Sequence, residues 1–198
     1  MTAPALGVLE FESVAVGILA GDAMVKASPV ASITAGTIHP GRYLVQVTGD
    51  VASVEEALSA GRARGAASIV DEVFLPDVHP AVVAAIGSVR GEPSGEAVGI
   101  VETATVSSAV AVADAGVKAA AVVLMELHLA DDLGGKAYAL FSGSVGDVEV
   151  AVEAGGASVV AGRVLQQVVV PMLASEMGDN LWSAARFVDR IGESDATG

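Results

Sequence analysis

Few residues in this chain are placed to do chemistry. His39 stands in "TIHPGR" (37–42) beside a Pro-Gly pair, and Asp131 and Asp132 stand in "HLADDLGGKAY" (128–138). A histidine in a tight loop has three readings. Copies that converge can hold a metal ion, the ring can line a pore as a titratable group, or it can sit in a turn facing water. A histidine triad needs ring nitrogens about 2 Å from the ion, and sequence does not supply that reach. Paired aspartates can attract a cation or form a solvated turn. The other two histidines, His79 before Pro80 and His128 in a strand-like run, read as structural.

Familiar catalytic signatures are missing. The chain has no Walker loop, no Gly-x-Gly-x-x-Gly turn and no Gly-x-Ser-x-Gly elbow. Its histidines lack His-x-x-x-His spacing. With no cysteine, disulfides, thiolate zinc sites and cysteine-held iron–sulfur clusters are excluded. The reading is therefore no enzyme, no catalytic residue and no cofactor, with His39 the one conceivable metal ligand.

Composition narrows the partners. Among 198 residues, 53% are hydrophobic but only 4% aromatic, so Ala, Val and Gly do the packing. Such a core needs close backbone approach and gains from association with identical subunits. A net charge of −14 argues against nucleic acid and against anionic membranes. Gly or a charge interrupts every apolar stretch short of a membrane span. The opening "MTAPALGVLEF" has no basic residue and no long apolar run, so a signal peptide is not expected. A bacterial-type cytoplasmic protein fits this pattern.

The elements that must position these residues occur twice. "ALGVLEFESVAVGILAGDAMVKA" (5–27) aligns without a gap to "AVGIVETATVSSAVAVADAGVKA" (97–119). Gly7, Glu10, Val14, Asp22, Val25 and Lys26 recur as Gly99, Glu102, Val106, Asp114, Val117 and Lys118. After a two-residue shift, "GRYLVQVTGDVASVEEALSAG" (41–61) aligns to "GKAYALFSGSVGDVEVAVEAG" (135–155). A repeat this long means two tandem domains of one fold.

Each half predicts a strand at 5–12, then a helix at 13–27 with Val14, Ile18, Gly21 and Val25 on its apolar face. Strands follow at 30–38 and 42–48. Asp50 is the expected N-cap of a second helix, with Val51, Val54 and Leu58 as its stripe. The last strand falls at 67–75. The fold class is α/β (α+β), two ferredoxin-like β-α-β-β-α-β units. Expected boundaries are a first domain at 1–88, a linker at 89–96, a second domain at 97–182 and a polar tail at 183–198. Pro80 opens a short extra helix. Glu10 and Glu102 are expected to cap the helix that follows each in sequence.

The blocks "GVLEF" or "GIVET", "GDAMVKA" or "ADAGVKA", and "GDVASVEEALSAG" or "GSVGDVEVAVEAG" resemble those of bacterial microcompartment shell proteins. Two unpermuted copies are similar to the tandem-domain class. The resemblance implies a flat pseudo-hexameric homotrimer that tiles into a polyhedral shell with hexameric and pentameric shell proteins around encapsulated enzymes. It implies a central pore for small metabolites, lined by Thr37, Ile38, His39, Pro40 and Gly41 and by Asp131, Asp132, Leu133 and Gly134. It places Lys26 and Lys118 at the oligomer edge, where each also complements a helix C-terminus. "TIHPGR" is similar to the propanediol-utilisation branch, whose cysteine in this loop holds a [4Fe–4S] cluster. His39 fills that place here, and pore lining becomes the favoured reading. The edge arginine that the family often carries after the last strand has no counterpart in "LPDVHP" or "VVPMLA". A small-molecule-binding regulatory module of tandem ferredoxin-like domains is the alternative, as is a metal-binding shell variant using His39.

Overall fold

The computed structural model describes residues 4–182, so the expected polar tail lies outside the described residues. The first half runs β1 (Ala5–Phe11), α1 (Val14–Ala27), β2 (Ser32–Ile38), β3 (Arg42–Gly49), α2 (Val51–Gly65) and β4 (Ile69–Leu75), followed by α3 (Pro80–Ile86). The second half repeats this as β5 (Ala97–Thr103), α4 (Val106–Ala119), β6 (Val123–Leu129), β7 (Ala137–Gly143), α5 (Val145–Ala157) and β8 (Val164–Val170), followed by α6 (Ser175–Trp182). Each half makes a four-stranded antiparallel sheet, ordered β2-β3-β1-β4 and β6-β7-β5-β8. That is the expected ferredoxin-like order.

Local chemistry sets the helix starts. The side chains of Ser13, Asp50, Thr105 and Ser144 accept backbone N–H groups in the first turns of α1, α2, α4 and α5. His79 caps α3 through Nδ1, 3.2 Å from the Ala81 nitrogen, and Pro80 occupies the first turn as expected. Small residues let helices lie close to the sheets. A methyl group on Gly65 would stand 2.3 Å from the Phe11 ring, and one on Gly116 would stand 2.5 Å from Phe141.

The face of α1 differs from expectation, whereas that of α2 holds for Val54 and Leu58 but not for Val51. In α1 the buried residues are Gly17, Ala20, Gly21 and Met24, while Ile18 and Val25 are exposed. In α2 the buried face is Val54, Ala57, Leu58, Gly61 and Gly65, and Val51 is exposed. In α1 hydrophobicity pointed to the wrong side because the sheet-facing side is lined mostly by small residues, Gly17, Ala20 and Gly21. These give the close approach that bulky side chains would prevent.

The halves are not separate beads. Val73, Val78 and Val82 from the first half share one continuous core with Val110, Ala113 and Leu124 of the second. The segment between the halves packs as well. Arg90 binds Glu126 at 2.6 Å, the Gly91 N–H donates to the Met125 carbonyl, and the Ser94 N–H donates to Ser142 Oγ. Among the described residues, no helix is long and apolar enough to cross a membrane.

Candidate functional site

The two expected loops meet. Thr37 and Ile38 close β2 opposite Tyr43 and Arg42. The chain then turns through a cis His39–Pro40 bond and Gly41 at φ +108°, whose N–H donates to the Ile38 carbonyl. The second loop turns through Ala130, Asp132, Gly134 and Gly135, all with positive φ. Asp and Gly suit that region, because a short polar side chain or no side chain avoids the usual clash. His39 Nδ1 lies 3.4 Å from Asp131 Oδ1, with both side chains exposed. Gly135 lies under the first loop, and a Cβ there would come within 2.8 Å of the Pro40 ring. The structure thus brings His39, Pro40, Asp131 and Gly135 together. Asp132 and Gly134 sit on the exposed tip, with Leu133 half-buried.

Behind the loops is a cavity of about 440 Å³, lined by Ile38, Leu44, Ile86, Arg90, Glu126 and His128 among others. Its polar wall is one network. Arg90 also donates to the Leu181 carbonyl, and His128 reaches Glu126 through Nδ1 and the Asp131 carbonyl through Nε2. The His128 ring stacks on Tyr138 at 5.3 Å. The Glu126 hydrogen bond holds His128 above the ordinary histidine range, against the opposing effect of burial. Burial pushes the Glu126 carboxyl up, but the His128 hydrogen bond and the Arg90 charge outweigh it and leave the group lowered. Burial and the Glu126 charge push the Tyr138 hydroxyl up to about 12. Both His128 nitrogens are engaged, which fits its structural reading.

A second polar constellation, which sequence reasoning did not find, joins the halves. Glu10 does not cap the helix that follows it. Its Oε2 accepts the Val106 N–H at the start of α4, 3.0 Å away, while Oε1 accepts from Arg42 at 2.8 Å. Burial pushes the Glu10 carboxyl up despite Arg42. Next to it, Asp71 accepts the hydroxyls of Thr105 and of Ser108, the latter at 2.6 Å. Arg163 stands 3.7 Å from Asp71 and donates to the Val70 carbonyl. The recurrence of Glu10 as Glu102 was the available signal. What it lacked was the partner, because the helix being capped lies 96 residues away. Lys118 also belongs to this seam, where its Nζ reaches the Asp77 carbonyl and, at 2.6 Å, Asp114. Lys26 pairs with Asp22 on an exposed surface.

Comparison with known proteins fits this duplicated architecture. The BMC domain profile matches residues 5–78 and again 97–173. The chain belongs to the BMC-domain shell proteins of bacterial microcompartments. This shell protein is 40% identical over 148 residues to the microcompartment shell protein PduT of Citrobacter freundii, covering 75% of this chain and 80% of that one. A crystal structure of a microcompartment protein from Desulfitobacterium hafniense superposes with TM-score 0.77 at 35% identity, covering 89% of this chain and 99% of that one. A fused permuted hexameric shell protein of the RMM microcompartment shares the fold at TM-score 0.58 and 19% identity, over 78% and 83% of the chains. The shell protein is a structural component, not an enzyme.

The [4Fe–4S] cluster suggested by the resemblance does not suit these residues. Such clusters are held by thiolates, and the chain has none. Nor do the described residues of one chain gather three side chains able to hold a metal ion.

Proposed function

We propose that this shell protein forms a pseudo-hexameric homotrimer with a central pore for small metabolites. The observation that carries the reading is the contact between His39 and Asp131. One chain sets its two unlike loops side by side, as neighbours around an axis must be. Three chains closing a ring would alternate six such loops. Thr37, Ile38, His39, Pro40 and Gly41 then line the opening together with Asp131, Asp132, Leu133 and Gly134. Six aspartates near one axis favour neutral and cationic solutes over anions. His39 works here as a pore-lining group whose Nδ1 is turned to Asp131.

Lys26, exposed beside Asp22, and Lys118, whose ammonium emerges half-exposed from the seam, would serve lateral tiling at the edge of such a disc. Hexameric and pentameric shell proteins are the tiling partners, encapsulated enzymes face the lumen, and the site of action is the shell in the cytoplasm. Sedimentation velocity on the purified chain, with electron microscopy alone and with co-expressed shell proteins, tests the reading. Discrete trimers that enter sheets or closed shells are expected. A soluble monomer that never enters shells would overturn it, and stoichiometric zinc in wild-type trimers would replace the open pore by a metal site.

A further inference from the structure

The cavity behind the two loops presents an apolar wall to solvent. Ile38, Leu44, Ile86 and Leu129 line it and stay half-buried, and Val89 in the same wall is 60% exposed. Ile38 ends β2 and Leu129 ends β6, so both strands that lead into the loops border this one cavity. The second half treats the same face of its sheet differently. Strand register makes Tyr138 the equivalent of Leu44, since Tyr138 pairs with Glu102 as Leu44 pairs with Glu10. Tyr138 packs on a cluster of Val98, Met125 and Leu140 that also receives Leu173, Leu181 and Trp182. Among the described residues, Leu44 has no counterpart of that Leu181–Trp182 cover; it faces the cavity.

The chain itself supplies an occupant. α6 ends at Trp182 beside this cavity, because Arg90, part of the cavity wall, donates to the Leu181 carbonyl. Residues 183–198 start from that point and lie outside the described residues. Their sequence begins "SAARFVDRIG". Ala184, Phe187, Val188 and Ile191 have the i, i+3, i+4, i+7 spacing of one helical face. Even at the helical rise, five residues carry Phe187 about 7.5 Å beyond Trp182, and an extended chain reaches further. Charge agrees with the same placement. Arg186 and Arg190 are two of only ten basic residues in a chain of net charge −14. The cavity wall includes Asp131, whose carboxylate has one partner among the described residues, His39 at 3.4 Å. Arg190 flanks the apolar face at helical spacing, where a long side chain can lie along an apolar wall and keep its charged head at the edge.

We propose that residues 183–191 dock in this cavity of their own chain, with Phe187 against Leu44, Ile86 and Leu129 and with Arg190 toward Asp131. Docking removes the apolar wall from water. It also braces from behind the strand ends that hold both loops, so the C-terminal segment helps to fix the loops' positions. The inference goes beyond the trimeric reading and does not depend on it: cavity, α6 and segment belong to one chain, and docking holds in monomer and trimer alike.

Because the chain has no cysteine, introduced thiols report without background. In the full-length folded protein, the Phe187→Cys thiol should react with a soluble thiol reagent at least about tenfold more slowly than the Ser194→Cys thiol, and urea unfolding should make the two rates equal. The double variant Val89→Cys with Phe187→Cys, treated with a short bismaleimide, should give a cross-linked monomer of altered mobility. Since a thiol at 187 removes the ring it reports on, a second measurement keeps the ring in wild type. Ile86→Ala and Phe187→Ala should each lower the melting temperature, and the double variant should lose less than the sum, because the two side chains share one contact. Equal labelling rates in the folded protein, or melting effects that simply add, would overturn the docking. Covalent dimers in place of the cross-linked monomer would put the segment on a second copy and overturn docking within the chain. A chain that fails these tests and still sediments as a trimer loses this inference alone.

Discussion

Glu10 in the first half accepts the Val106 N–H of the second half at 3.0 Å, with no part of either residue open to water. One carboxylate thereby ties a strand end, the Arg42 guanidinium and the positive end of a helix into the seam between the domains. The burial that raises its pKa also raises the cost of removing its partner.

Glu10→Ala should therefore destabilise the chain by about 2 kcal/mol, because it uncaps α4 and leaves the half-buried Arg42 with only its longer ion pair to Glu12, at 3.5 Å. Arg42→Met added to Glu10→Ala should recover part of the loss by removing a half-buried charge that has lost its closer partner. Urea unfolding at fixed protein concentration measures both. A single variant as stable as wild type would show that the seam holds without this carboxylate.

The glycines make opposite predictions at two helix positions. Gly65→Ala puts a methyl group 2.3 Å from the fully buried Phe11 ring, which has nowhere to move, and should cost about 1–3 kcal/mol. Gly146→Ala lies in α5 with nothing within 4 Å of the new Cβ and should stabilise by about 0.5–1 kcal/mol. Thermal melts of the two variants should shift in opposite directions. A shared direction would mean that helix propensity, or packing, acts alone at both sites.

Much of this was legible in the sequence because the chain states its fold twice. The strand expected at 42–48, the cap Asp50 and the Pro-Gly turn after His39 all lie in local chemistry, and the structure places them as expected. The face of α1 was not legible. Ile18 and Val25 look like core because they are hydrophobic, but the sheet accepts only Gly17, Ala20, Gly21 and Met24 at that distance. Nor could Glu10 be assigned its partner, since a helix cap supplied from another domain leaves no spacing signature.

The network behind the loops should give stability a pH dependence with two limbs. His128 gains the Glu126 carboxylate on folding, so its folded pKa lies above 6.5. Its contribution is complete below that unfolded value and is lost as pH rises through the raised folded value. Glu126 is lowered from 4.5, so its contribution is present above that value and is lost as pH falls through the lowered one. Melting temperatures from about pH 5 to pH 8 should fall more steeply on the alkaline side for wild type than for His128→Gln. Parallel profiles would remove His128 as the source.

The loops make the functional prediction. Asp131 and Asp132 carry charge at an exposed tip, and Asp131 already faces His39. If three chains gather these loops around an axis, the combined variant Asp131→Asn with Asp132→Asn removes six negative charges from the constriction. Selectivity there follows charge as well as radius, and Asn keeps the radius nearly unchanged. Anion flux into assembled shells should rise, while flux of a neutral solute of equal size should stay constant. Low ionic strength should enlarge the difference, because salt screens exposed charges over about 10 Å at 0.1 M. If anion and neutral fluxes rise together, the substitution has widened the opening rather than discharged it. If neither changes, metabolites cross the shell elsewhere.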